Sequence, residues 1–156
     1  MAAIARNAAR GAVLICIAAA FAAADAHDDV IDVVTSMAGA LSETGDRAVT
    51  RTANVSKFMS VVSKDMPDRE TLENNVTALV NNAEVSSSIE PLTEDGDEHA
   101  RKIDLDWLLE IRSLEQDGPL VRRREIVHCE LLKEKNHWKV VGLKPIDFFA
   151  PANLGK

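Results

Sequence analysis

Residues 102–112 alternate with a strict period of two: Ile103, Leu105, Trp107, Leu109 and Ile111 fall on one side, and Lys102, Asp104, Asp106, Glu110 and Arg112 on the other. Successive side chains of a strand point to opposite faces, so this segment reads as a strand with one buried and one wetted face. Leu108 is the only apolar residue on the wetted side. Such a face needs more sheet beside it and a second layer beneath it. From Val85 onward, turn signals at Asp95-Gly96, Asp117-Gly118-Pro119 and Lys135-Asn136 separate four candidate strands of an antiparallel meander. The third, residues 120–132, has Val127, Cys129 and Leu131 on its apolar face. The last, residues 137–146, contributes Trp138, Val140, Val141 and Leu143.

The covering layer is written in the first half of the chain, where the apolar period is helical. A first helix begins near Asp28 or Asp29, carries Val30, Val34, Met37 and Leu41 on one face, and ends at Gly45. A second has Val55, Phe58, Met59 and Val62 on one side and stops before Pro67, because proline disfavours helix at the residue ahead of it. A third is capped by Asp68, buries Leu72, Val76, Leu79 and Val80, and closes at Asn81 and Asn82. Helices followed by strands define an α+β domain, with N-terminal helices packed on a curved four-stranded antiparallel sheet.

Ahead of that domain lies a segment of different character. Arg6 and Arg10 precede an uncharged apolar run over residues 11–21, and small residues follow to Ala26. A basic start, a short apolar stretch and an Ala-x-Ala exit are the parts of a secretory signal. The run is too short for a spanning helix, which needs roughly 20 apolar residues. The expected organisation is therefore a signal peptide over residues 1–26, cleaved after Ala24 or Ala26, and one domain over 27–156. The product would be exported, periplasmic or secreted, with no stable membrane anchor after processing.

Charge and cysteine content narrow the partners. The chain has a formal net charge of −7, and removal of Arg6, Arg10 and Asp25 with the signal takes it to −8. That argues against nucleic acid as a partner. Only Cys129 would survive processing, so stability must come from packing and not from a disulfide. His27, His99, His128 and His137 show no zinc spacing, and no metal or other cofactor is expected. A cut after Ala24 would leave Asp25-Ala26-His27, a terminus able to hold square-planar Cu(II) or Ni(II), but the position of His27 reads as accidental.

Three stretches carry a family resemblance: the strand over 103–111, the run Arg122-Arg123-Arg124-Glu125, and Trp138-Lys139-Val140-Val141 with Asp147-Phe148-Phe149. With the helix-then-meander order they resemble small exported bacterial members of the nuclear-transport-factor-2-like superfamily. The resemblance implies a cystatin-like cone, a sheet wrapped around a pocket that helices close. Some members use that pocket for isomerisation or cyclisation, and others use the fold for binding or assembly. Ketosteroid-isomerase-like members rely on a Tyr hydroxyl, and this chain has no Tyr. The acid of SnoaL-like cyclases has no matching Asp here. Fold alone does not carry function.

The candidate pocket residues follow from strand parity. Arg123 and Glu125 share the face of Val127, Cys129 and Leu131, and so point toward the helices. Buried there, a charge needs a partner: each other in an apolar core, or a ligand that Arg123 holds and Glu125 orients. Trp107 and Trp138 would be the apolar wall. On the outer face, a hairpin centred on Asp117-Gly118 would place Glu110 opposite Arg124, Asp106 opposite His128 and Leu108 opposite Ile126. The leading expectation is an exported domain that binds a small molecule or a partner. The alternatives are an isomerase- or cyclase-type enzyme using a pocket acid, and a structural homodimer seeded by Leu108 and Ile126.

Overall fold

A computed structural model describes residues 9–42, 47–115 and 117–154. Three helices, α1 (Ala9–Ser42), α2 (Arg47–Ser60) and α3 (Arg69–Asn82), precede strands β1 (Ala83–Gly96), β2 (Ala100–Ser113), β3 (Leu120–Glu134) and β4 (His137–Lys144). A 3₁₀ turn, Ile146–Phe149, follows. The strands form one antiparallel sheet in the order β1-β2-β3-β4. This is the α+β meander that the change of period from helical to two dictates.

The first helix is longer than its sequence signals suggest. It runs unbroken from Ala9 through Asp28, because the Ala-rich stretch ahead of the acids is itself made of strong helix formers. Arg6 and the expected stop at Gly45 lie outside the described residues. Among the side chains described in α1, Ala26 is buried with Val30, Val34, Met37 and Leu41. His27, one residue on, pairs through Nδ1 with Glu94 of β1. Arg101 of β2 donates to the same carboxylate at 2.9 Å, so α1 is clasped to the β1–β2 hairpin. That use of Nδ1 leaves it committed in the folded chain. Among the described residues, no helix is long and apolar enough to cross a membrane.

Register on the sheet differs from expectation by one residue per strand. Glu110 lies opposite Arg122, Leu108 opposite Arg124, and Asp106 opposite Ile126. Asp117, at φ 61, sits past the centre of the turn, and Ser113 N–H closes it by donating to the Pro119 carbonyl at 3.1 Å. Because the slip moves both strands, face parity is preserved. The outer-face charges still find partners. Arg122 donates to Glu110 at 2.7 Å, Arg124 grips the diagonal Asp106 through two bonds of 2.8 and 2.6 Å, and His128 meets Asp104 at 2.6 Å. In β4 a bulge opposite Glu130 and Leu131 resets the alternation. Trp138, Val140 and Leu143 are therefore buried while Val141, expected on the same face, is only half-buried. The strand ends at Lys144, ahead of Pro145.

The outer-face pairs carry a pH dependence. Arg124 holds Asp106 below the ordinary aspartate value of 3.8, and bonds from His128 and Thr93 do the same for Asp104. Asp97 is lowered by backbone N–H groups of His99 and Ala100. A carboxyl with a depressed folded pKa stabilises while ionised, so its contribution is present above 3.8 and is lost as pH falls through the folded value. The expected result is a melting temperature that declines as pH is taken below about 4, with a shallower decline in Asp106→Asn. Thermal melts from pH 6 to pH 2 check this; an unchanged acid limb in the variant would contradict it.

Between sheet and helices the interior is filled. Trp107 is 0% exposed and lies 5.0 Å, centroid to centroid, from Phe149 in an edge contact. Phe148 lies 6.1 Å from Trp107, and Phe58 of α2 lies 5.6 Å from Phe149. The indole N–H donates to Ser87 Oγ at 2.8 Å, and Ser42 at the end of α1 bonds the backbone of Ser87. Cys129 shares this core at 1% exposure, and burial pushes its thiol up to about 12. In a Cys16→Ser chain, Ellman's reagent at pH 8 is expected to leave the native protein unlabelled and to react once denaturant is added. Rapid labelling of the native form would contradict that packing.

Candidate functional site

The four residues singled out from sequence do not converge on one cavity. Trp107 and Glu125 are register partners, yet Trp107 is fully buried and Glu125 is exposed. Arg123 Nη1 donates to the carbonyls of Phe148 at 2.5 Å and Ala150 at 2.7 Å. Pairing of β3 with β4 stops at His128, so residues 120–127 have sheet on one side only. The 3₁₀ turn folds in beside them and Arg123 binds its backbone. Trp138 lies toward the other end of the sheet, with Lys133 Nζ 5.9 Å from its ring and its indole nitrogen buried without a partner. Of the four, Trp107 packs on the Phe148 and Phe149 rings and Arg123 binds the backbone of the same segment, while Glu125 is exposed and Trp138 stands apart.

Concave surface lies elsewhere. An open cleft of about 960 Å³ runs between α2, α3 and the β3–β4 hairpin. Residues four apart lie above one another on a helix, and α3 gives this cleft a single polar stripe of Arg69, Glu73, Thr77 and Asn81. Those twelve steps at 1.5 Å make the groove about 18 Å long. The stripe is opposite in character to Leu72, Val76, Leu79 and Val80, which α3 buries. From α2 come Val55 and Met59 with Ser56 and Ser60 beside them, and Arg51 stands at the far end. A smaller cleft of about 530 Å³ adjoins it, lined by Trp138 and sharing Ser60, His137 and Lys139.

The hairpin end of the cleft is held by backbone. The chain leaving α2 pairs in parallel with β4: Ser63 N–H donates to the Val140 carbonyl at 2.8 Å and Val140 N–H to that of Val61 at 2.9 Å. Ser63, 2% exposed, donates its hydroxyl to Glu134 Oε1 at 2.7 Å and accepts from Asp65 N–H at 3.3 Å. Ser63, Glu134 and His137 all line the cleft, but the hydroxyl goes straight to the carboxylate. It therefore ties the α2–α3 connection to the hairpin, where an activated serine would donate to a histidine base.

Five cations line this cleft, Arg51, Lys64, Arg69, Lys135 and Lys139, against three acids, Asp65, Glu73 and Glu134. That local excess is positive in a chain whose total is −7. Arg69 spends Nη1 on Glu73 at 3.0 Å, while its Nε is buried without a partner. Lys139 donates to the Ser60 carbonyl at 2.5 Å and Arg51 to that of Asn81 at 3.1 Å. Lys64 and Lys135 are exposed and make no ion pair among the described residues. These cations come from separate segments, so no basic run marks them in the sequence. The four-residue polar spacing of α3 was the one legible sign. Among the described residues no group of three or more acids, histidines or cysteines is placed to hold a metal ion.

The architecture defines a cystatin-like fold. A crystal structure from Nostoc punctiforme PCC 73102, described as a protein of unknown function with a cystatin-like fold, matches with a TM-score of 0.50 at 12% identity, over 74% of this chain and 85% of that one. No protein-family model and no curated protein matches the sequence.

Proposed function

We propose that the chain is an exported member of the nuclear-transport-factor-2-like group that binds a small molecule, and that its site is the open cleft between α2, α3 and the β3–β4 hairpin. The observation that carries this is the exchange of concavities: Trp107, Phe58, Phe148 and Phe149 fill the interior, while about 960 Å³ stays open outside it. A volume of that order suits a small ligand. Its lining mixes Val55 and Met59 with hydroxyl, amide and charged groups, the combination that both buries and orients a bound molecule. Binding without chemistry is the reading favoured, since the Ser63 hydroxyl is 2% exposed and tied to Glu134.

A fragment screen by ligand-observed NMR tests the site. Hits are expected to disappear in Ser56→Trp, which places an indole in mid-groove at an exposed helical position; hits that persist in that variant would refute the assignment. Export is tested separately by the mass of the native protein outside the cytoplasm. A chain beginning at Asp25 or His27 supports it, and an intact Met1 terminus contradicts it.

A further inference from the structure

We infer that the ligand of this cleft carries an anionic oxyacid group, a carboxylate or phosphate, seated where the α2–α3 connection meets the β3–β4 turn, with its body along Val55 and Met59. This rests on the cleft being the ligand site. Four cations gather at that end from four stretches of chain: Lys64 from the connection, Arg69 from the first turn of α3, Lys135 from the hairpin turn and Lys139 from β4. Three acids stand nearby, Asp65, Glu73 and Glu134; Glu73 pairs with Arg69, and Glu134 accepts from the Ser63 hydroxyl while keeping its charge, so cations exceed acids by one at this end. Lys64 and Lys135 project without an ion pair among the described residues, leaving positive charge that an incoming anion neutralises.

Positive charge reaches the seat from both walls of the cleft. Arg69 adds a fixed guanidinium charge from α3, its Nη1 held at 3.0 Å by Glu73 and its Nε buried. Lysines from the facing hairpin supply point charges from the other side. Beyond the seat, Val55 and Met59 of α2 recur at four-residue spacing and give the groove an apolar floor. Ser56 and Thr77 provide hydroxyls along its walls. A bare anion would use the seat alone, whereas an anion bearing an alkyl or otherwise apolar body would use the floor as well.

Titration calorimetry of the full chain at low salt, with octanoate, 1-octanol and inorganic phosphate, tests this. Octanoate is expected to bind, with octanol about tenfold or more weaker. In Lys64→Glu/Lys135→Glu, octanoate affinity should fall by about tenfold or more with octanol unaltered. Lys64→Gln/Lys135→Gln serves if the charge reversal disturbs the fold, as monitored by circular dichroism. Ser56→Trp should weaken octanoate while sparing phosphate, which separates the body from the head. Phosphate binding that depends on the two lysines, without octanoate binding, supports the seat with a free anion as its occupant. Octanol and octanoate binding alike, both blocked by Ser56→Trp, would overturn the anionic class and leave the cleft standing. Octanoate binding that neither lysine nor Ser56 variants change would overturn the cleft assignment too.

Discussion

Trp107→Ala is expected to lower stability by about 3–5 kcal/mol, a large share of the roughly 5–15 kcal/mol that holds a domain of this size together. Trp107 is 0% exposed, meets Phe149 edge-on and Phe148 at a tilt, and gives its indole N–H to Ser87. Truncation would open a cavity among three rings and leave the Ser87 hydroxyl without that donor. A loss of this size corresponds to a fall of order 10–20 °C in Tm. Were Trp107 the wall of an empty ligand pocket, water would already touch it and truncation would cost far less. A Tm within about 3 °C of the parent would show that the interior is not packed as described.

Arg123→Ala should be the second severe change, losing about 2–4 kcal/mol. One guanidinium nitrogen serves the carbonyls of Phe148 and Ala150, at 2.5 and 2.7 Å. Hydrogen bonds from a charged donor contribute about 1.5–3 kcal/mol each, and removal of the donor strands the acceptors. The anchored segment also delivers Phe148 and Phe149 to the core, so its release would expose the aromatic cluster. Arg123→Lys should recover part of the loss, because a single ammonium can reach only some of those oxygens. Glu125→Gln, exposed, should stay within about 0.5 kcal/mol of the parent. Urea unfolding, together with hydrogen exchange at residues 148–150, measures all three. Parental stability in Arg123→Ala would return Arg123 to the role of ligand holder.

The contrast between these two arginine roles shows what the sequence could and could not reveal. Strand parity was legible from alternation alone: Ile103 through Ile111 and Val127 through Leu131 face the helices, and the β2–β3 ladder runs without a register shift. The residues opposite one another were not legible, because a turn spanning Ser113 to Pro119 leaves its centre open by one residue. The fate of the interior depended on Asp147-Phe148-Phe149, a 3₁₀ turn with no period to show which way its rings point. Once those rings insert, Arg123 meets a backbone and not a ligand. The cleft is not legible in the sequence for a related reason. Its walls belong to α2, α3, their connection and the far hairpin, and only the folded chain brings Arg51, Lys64, Arg69, Lys135 and Lys139 onto one surface.

The claim that binding occurs outside the filled interior is tested most directly by amide chemical-shift mapping with octanoate or any fragment hit. Shifts are expected to cluster on residues 51–65, on Arg69, Glu73, Thr77 and Asn81, and on residues 134–139, with the amides of Trp107, Arg123 and Glu125 unmoved. Shifts centred on Trp107, Arg123, Glu125 and the 3₁₀ turn, with the α2–α3 groove silent, would contradict the account.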